Sequence, residues 1–154
     1  MEGNRDSLII DSSAFSHSGN IPPRYTCDGK NISPPLAFYG IPEGTTSLVL
    51  IMDDIDAVAG VWDHWIVFNI PPSTNVIEEG REPSGVAGAR TDGEKGYYGP
   101  CPSDGKEHRY VFRVYALDTR LDLPEGATKN EVLSSLEGHC IAQATLMGKF
   151  RRGI

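Results

Sequence analysis

With 154 residues, 39% of them hydrophobic and 23% charged, the chain has enough apolar side chains to bury a core, and it reads as one domain over residues 1–154. Its 17 glycines and 11 prolines demand many turns and favour a β-rich, loop-rich fold. A net charge of −7 excludes a general nucleic-acid binder, which needs a basic face, and disfavours adsorption to anionic membranes.

Leu8-Ile9-Ile10 predicts a short first strand. Residues 16–36 are dense in Ser, Gly, Asn and Pro, and read as a long loop punctuated by turns at Pro22-Pro23, Asp28-Gly29 and Pro34-Pro35. Residues 47–52 form a continuous apolar run, predicted to be a strand buried on both faces. Residues 64–70 are a second such run, halted by Pro71-Pro72. Residues 78–106 are Gly-rich and charged without periodicity; a stretch of that kind inside a domain is usually functional.

Residues 110–117 give the strongest strand signal, with Val111, Arg113, Tyr115 and Leu117 on one face and Tyr110, Phe112, Val114 and Ala116 on the other. Thr128-Lys129-Asn130-Glu131 is a capping box, so a helix should start there, run to about Leu136 and stop at Gly138. Residues 139–150 alternate loosely and predict a last strand. Several strands, one clear helix and long connections suggest a mainly β (α+β) fold class, either a β-sandwich or a β-rich α+β domain.

Residues 1–6 are polar and carry no leader, and no stretch is long enough to span a membrane, which points to a cytoplasmic protein. Cys27, Cys101 and Cys140 are odd in number and lack zinc-type spacing, so free thiols are the expectation, with a single bridge left open.

The chemistry concentrates in two segments. Asp54-Ile55-Asp56-Ala57-Val58 precedes Trp62-Asp63-His64-Trp65, and Gly99-Pro100-Cys101-Pro102 precedes His108-Arg109-Tyr110. Each couples a turn to a histidine that opens an apolar strand. Alone, Asp54 reads as a turn-former and either histidine as a structural residue. Together, if the two strands pair, they bring two imidazoles and a carboxylate to one rim. Asp54 could orient His64, and the two imidazoles would suit a phosphate or carboxylate ligand. Pro100 and Pro102 stiffen the loop, leaving Cys101 and Ser103 as N–H donors, and Tyr110 offers either a hydroxyl or packing.

Other chemistries fit less well. Asp54, His64 and His108 lack short metal-ligand spacing, so no metal is expected. Cys101 has no helix N-terminus to activate it, and no phosphate loop or nucleophile elbow occurs, so no cofactor is predicted and a hydrolase using His64 and His108 is only a remote alternative.

At these residues the chain resembles the phosphatidylethanolamine-binding protein family, which includes the Raf kinase inhibitor proteins, and within it the bacterial and archaeal branch. The similarity runs from Phe15 to Arg152 and includes Cys27-Asp28-Gly29 with Ser33-Pro34-Pro35-Leu36. The resemblance implies an antiparallel β-sandwich with one or two peripheral helices and an anion pocket for phosphate, phosphorylethanolamine or a similar group, acting without catalysis. It assigns Asp54, His64, His108 and Tyr110 to the pocket, Gly99, Pro100 and Pro102 to its loop, and Trp62 to its wall. It also implies a homodimer or a protease or kinase target as partners. Ile55 and Val58 replace both prolines of the family's Asp-Pro-Asp-Ala-Pro motif, and Ser103-Asp104 replaces the usual residues after Cys-Pro, adding a negative charge near the rim.

Overall fold

A computed structural model describes residues 7–153; the polar segment 1–6, read above as leaderless, lies outside the described residues. In chain order the strands are β1 (Ile9–Asp11), β2 (Gly19–Asn20), β3 (Leu36–Tyr39), β4 (Ser47–Asp54), β5 (Trp62–Ile70), β6 (Val76–Ile77), β7 (Val86–Ala87), β8 (His108–Leu117) and β9 (Cys140–Phe150). Among the described residues, one α-helix, α1 (Lys129–Leu136), lies between β8 and β9, and one 3-10 turn occupies Pro23–Tyr25. The strands form a six-stranded sheet, ordered β2-β9-β8-β4-β5-β7, and a three-stranded sheet, ordered β1-β3-β6. All pairs are antiparallel except β2 with β9, a short parallel contact that a purely antiparallel sandwich does not have.

The apolar run at residues 47–52 becomes the middle of the large sheet. All eight residues of β4 are buried, as a strand covered on both faces requires. Leu48, Leu50 and Met52 face the small sheet, where they meet Trp65, Val67, Tyr110, Phe112, Val114 and Ala116. Val49 and Ile51 face the other way, onto Ile66, Phe68, Tyr115 and Leu117, beneath Val132 and Leu136 of α1. The period-2 alternation thus divides the apolar residues between two core layers, and β8 shows the face assignment read from its sequence.

β8 does not pair with β5. β4 lies between them, bonded to β8 in unbroken register from Ser47 opposite Leu117 to Asp54 opposite Tyr110. The two histidine-bearing strands thus approach one rim across an intervening strand, and that strand carries the carboxylate. On the β5 side the register shifts between Met52 and Asp53, because Met52 faces Trp65 while Asp53 faces Asp63. His64 is the extra residue at this bulge, a device that re-aims a side chain at a sheet end.

The helix begins at the predicted cap. Thr128 Oγ1 accepts from the Glu131 backbone N–H at 3.2 Å, and Glu131 Oε1 accepts from the Thr128 N–H at 2.9 Å. Gly138 follows with φ +82°, the left-handed turn that glycine adopts most cheaply. The predicted loops contain more structure than their sequence suggested: β2 and the 3-10 turn within 16–36, and β7 within 78–106. Two-residue strands are too short to display a period.

The cysteine expectation is corrected. Cys27 and Cys101, 74 positions apart, form a disulfide with Cα atoms 5.4 Å apart, and only Cys140 is free. Proximity created by folding, which the spacing does not encode, makes the bond.

Asp53, next to Asp54 but on the opposite face, is only 2% exposed. Arg113 Nη1 donates to its carboxylate at 2.9 Å and Lys129 Nζ at 3.0 Å, while the same Lys129 ammonium lies 2.7 Å from Asp63 Oδ1. Lys129 is the first residue of α1, so this ion cluster fastens the helix to the sheet. Replacing Lys129 by Met leaves two carboxylates without their shared cation. We expect a stability loss of about 3 kcal/mol in urea denaturation; an unchanged midpoint would show that the cluster does not anchor the helix.

Candidate functional site

The rim is built at the C-terminal end of β4. Asp54 is buried and both its oxygens are committed within the protein. Oδ1 accepts from the Asp56 N–H at 2.8 Å, forming a tight turn, and Oδ2 lies 2.6 Å from His108 Nδ1. Asp56 is clamped in turn by Arg109, whose Nε and Nη2 donate to it at 2.9 and 2.8 Å and whose backbone N–H adds a third bond at 2.8 Å. These contacts hold the turn that leaves β4. They also direct Asp54 to His108, whereas the sequence had suggested His64 as its partner.

His108 Nε2 faces a second carboxylate, with Asp104 Oδ1 and Oδ2 at 2.9 and 3.0 Å. A carboxylate accepts hydrogen bonds and does not donate, so both ring nitrogens carry protons and His108 is an imidazolium. Burial acts to lower its pKa, but the hydrogen bonds and charges of Asp54 and then Asp104 outweigh burial and raise it. The bond from His108 in turn lowers the pKa of Asp104.

His64 differs. Its Nδ1 lies 2.5 Å from the Tyr98 carbonyl, which can only accept, so Nδ1 carries the proton. Burial lowers its pKa, against the raising effects of the Tyr98 carbonyl and the negative Asp54 and Asp53. A neutral ring results, leaving Nε2 as an acceptor. The ring stands edge-on to Trp62 and to Tyr110, with centroids 4.7 and 5.4 Å away.

Asp54, Ala57, Val58, Trp62, His64, Tyr98, Cys101, Pro102, Ser103 and His108 line a cavity of about 330 Å³. Of the residues singled out in the sequence, Asp54, Trp62, His64, Cys101, Pro102, Ser103 and His108 meet here. Gly99, Pro100 and Tyr110 are not among the lining residues. Tyr110 is fully buried on the inter-sheet face of β8, and its hydroxyl has no hydrogen-bond partner there. Burial, then the charge of Asp54, pushes that phenol well above its ordinary range. Gly99 supports the wall from behind: its N–H donates to Asn31 Oδ1 at 2.8 Å, and a Cβ at this position would overlap the Tyr25 carbonyl.

The wall loop is therefore braced by the 25–31 segment. The Cys27 N–H donates to the Pro100 carbonyl at 3.1 Å, the Tyr97 hydroxyl donates to the Tyr25 carbonyl at 2.6 Å, and the disulfide adds a covalent tie. Sequence reasoning missed Tyr98, which positions His64, because it lies in an aperiodic loop. Among the described residues, no three His, Cys, Asp or Glu side chains come together as a metal site.

The family model for phosphatidylethanolamine-binding protein matches residues 11–151. This chain belongs to the phosphatidylethanolamine-binding protein family. A UPF0098 protein from Methanothermobacter thermautotrophicus is 53% identical over 95% of this chain and 100% of its own length. One from Chlamydia muridarum is 46% identical over 94% and 99%. Among solved structures, a phosphatidylethanolamine-binding protein homologue from Chlamydia trachomatis superposes with a TM-score of 0.93 at 43% identity, covering 96% of this chain and 99% of its own. The Escherichia coli protein YbcL, described as a member of the mammalian family, gives 0.87 at 28% identity over 96% and 99%. In this phosphatidylethanolamine-binding protein family member the turn after β4 lacks both motif prolines, and the Asp54–Asp56 and Asp56–Arg109 contacts define it instead.

Two predictions follow from the geometry. The raised His108 pKa makes its ion pairs fully stabilising below pH 6.5 and weaker as pH rises through the folded-state value. The lowered His64 pKa acts oppositely: stability falls as pH drops from 6.5 through its folded-state value. Imidazole NMR titration should give His108 a midpoint above 6.5 and His64 one below; the reverse order would overturn the assignment of charge. Reducing the Cys27–Cys101 bridge should lower unfolding free energy by about 4 kcal/mol, given the chain length it closes. Denaturation with and without reductant measures this, and coincident curves would contradict it.

Proposed function

We propose that this chain is a single-domain, non-catalytic binding protein for a small anion that also carries an acidic O–H, such as phosphate or a phosphate monoester like phosphorylethanolamine. The observation that carries this reading is the pairing of unlike histidines on one cavity. His108 is a charged donor whose Nε2 already holds carboxylate oxygens, and His64 is a neutral acceptor. A hydrogen phosphate or phosphomonoester monoanion supplies both complements: an anionic oxygen for His108 and a hydroxyl for His64. A cavity of about 330 Å³ is at the small end of ligand sites.

The absence of catalysis is part of the proposal and rests on the nucleophiles nearest the histidines. Cys101 is spent in the disulfide, Ser103 makes no hydrogen bond to either imidazole, and His108 has both nitrogens on carboxylates. A cytoplasmic setting belongs to the proposal too. The Cys27–Cys101 disulfide restricts that setting to a cytoplasm that tolerates disulfides, because an ordinary reducing cytosol keeps thiols reduced; among the described residues no helix is long and apolar enough to cross a membrane.

Calorimetric titration near pH 7 tests the reading. Phosphate should bind more tightly than sulfate, because sulfate has no proton to give His64. His108→Gln should weaken phosphate by roughly 10- to 100-fold, the worth of a hydrogen bond to a charged group. Equal affinities for phosphate and sulfate, or no effect of His108→Gln, would sink the assignment of roles.

A further inference from the structure

Two carboxylates touch His108, and they are held very differently. The Asp54 side chain is 5% exposed, and both its oxygens are bonded inside the fold. The Asp104 side chain is 24% exposed and belongs to the exposed turn 103–106, where Gly105 takes φ +72° and the Lys106 N–H donates to Asp104 Oδ1 at 3.0 Å. Asp54 builds the site, and its removal would leave a buried imidazolium without its counter-ion. Asp104 reaches in from solvent, and it can swing out without disturbing a strand, a core layer or the disulfide.

What Asp104 occupies is the second difference. His108 and Ser103, the residue before Asp104, line the cavity, and Asp104 covers the charged His108 Nε2–H with both oxygens at 2.9 and 3.0 Å. From the geometry we infer that Asp104 is a displaceable internal ligand: its carboxylate takes the place on His108 that an entering anion needs, so binding requires its expulsion. This inference rests on the anion-binding reading above and adds the means by which the site is held closed.

The physics gives the inference a distinctive signature. A tethered carboxylate competes with free anions at a fixed effective concentration. Its closed–open equilibrium reduces the affinity of every anion on His108 by one common factor, whatever that anion's charge. A negative charge that merely stood nearby would act otherwise, penalising a doubly charged ligand more than a singly charged one. Equal gains for mono- and dianions on removing Asp104 therefore mark displacement, and unequal gains mark repulsion.

The experiment is calorimetric titration of the wild type, Asp104→Ala and Asp104→Asn with inorganic phosphate and with acetate at one pH and ionic strength. Asp104→Ala should tighten both anions by the same factor, on the order of tenfold, the worth of one charge-assisted hydrogen bond. Asp104→Asn keeps the turn's side-chain acceptor for the Lys106 N–H and should tighten them less. The His64 proton bonded to Tyr98, read by NMR, reports that the pocket of each variant is folded. If the wild type binds phosphate and Asp104→Ala binds it no more tightly, the internal-ligand role is overturned and the anion-binding reading stands. A gain for phosphate without a matching gain for acetate also overturns displacement, in favour of simple repulsion. If neither protein binds either anion, both proposals fall together.

Discussion

Two consecutive carboxylates at the end of one buried strand govern this molecule. β4 is covered on both faces, so its alternation sends Asp53 into one layer and Asp54 into the other, at 2% and 4% exposure. Neither can be buried alone as an anion. Asp53 recruits Arg113 and Lys129, and through Lys129 fastens the start of the helix to the sheet. Asp54 recruits His108 and the Asp56 amide, and through them fixes the pocket. A scaffold and a site are thereby organised by one strand end, each answering a charge that folding has removed from water.

The histidines illustrate how local partners create chemical contrast from identical side chains. His108 sits between two carboxylates and is held charged; His64 meets a carbonyl and aromatic rings and is held neutral. Under the proposed function, one charged donor and one neutral acceptor would discriminate by proton content as well as by charge, because a ligand without a hydroxyl leaves the acceptor unmatched. The Tyr98 carbonyl that imposes this state on His64 belongs to a loop without regular structure. That loop keeps its place through the 25–31 segment, the Asn31–Gly99 bond and the disulfide. The Cys27-Asp28-Gly29 stretch thus contributes to the pocket without lining it.

The residue types in this sequence carried much of the fold. The run at 47–52, the alternation at 110–117 and the capping box at Thr128 are local patterns, set by burial on one or two faces and by hydrogen bonds spanning three residues. Each appears where its period places it. The last strand, at 139–150, was weaker in pattern and still formed as β9. What local pattern could not supply was partnership. β2, β6 and β7 are two residues long and exist only because a neighbouring strand passes close by. Cys27 meets Cys101 across 74 positions for the same reason.

Of the candidate site, the sequence by itself determined the cast: Asp54, His64, His108, Trp62 and Pro102 are chemically marked and adjoin turns or strand ends. Tertiary structure decided which of them bond. It placed β4 between the histidine strands, turned His64 by a bulge, gave Asp54 to His108 and Tyr98 to His64, and withdrew Tyr110 into the core. It also brought Asp104, in sequence only an extra charge near a rim, onto His108 Nε2. The division has a physical cause. Periodicity and capping act between neighbours in sequence, whereas hydrogen-bond partners and protonation states depend on distances that exist only after distant strands have packed.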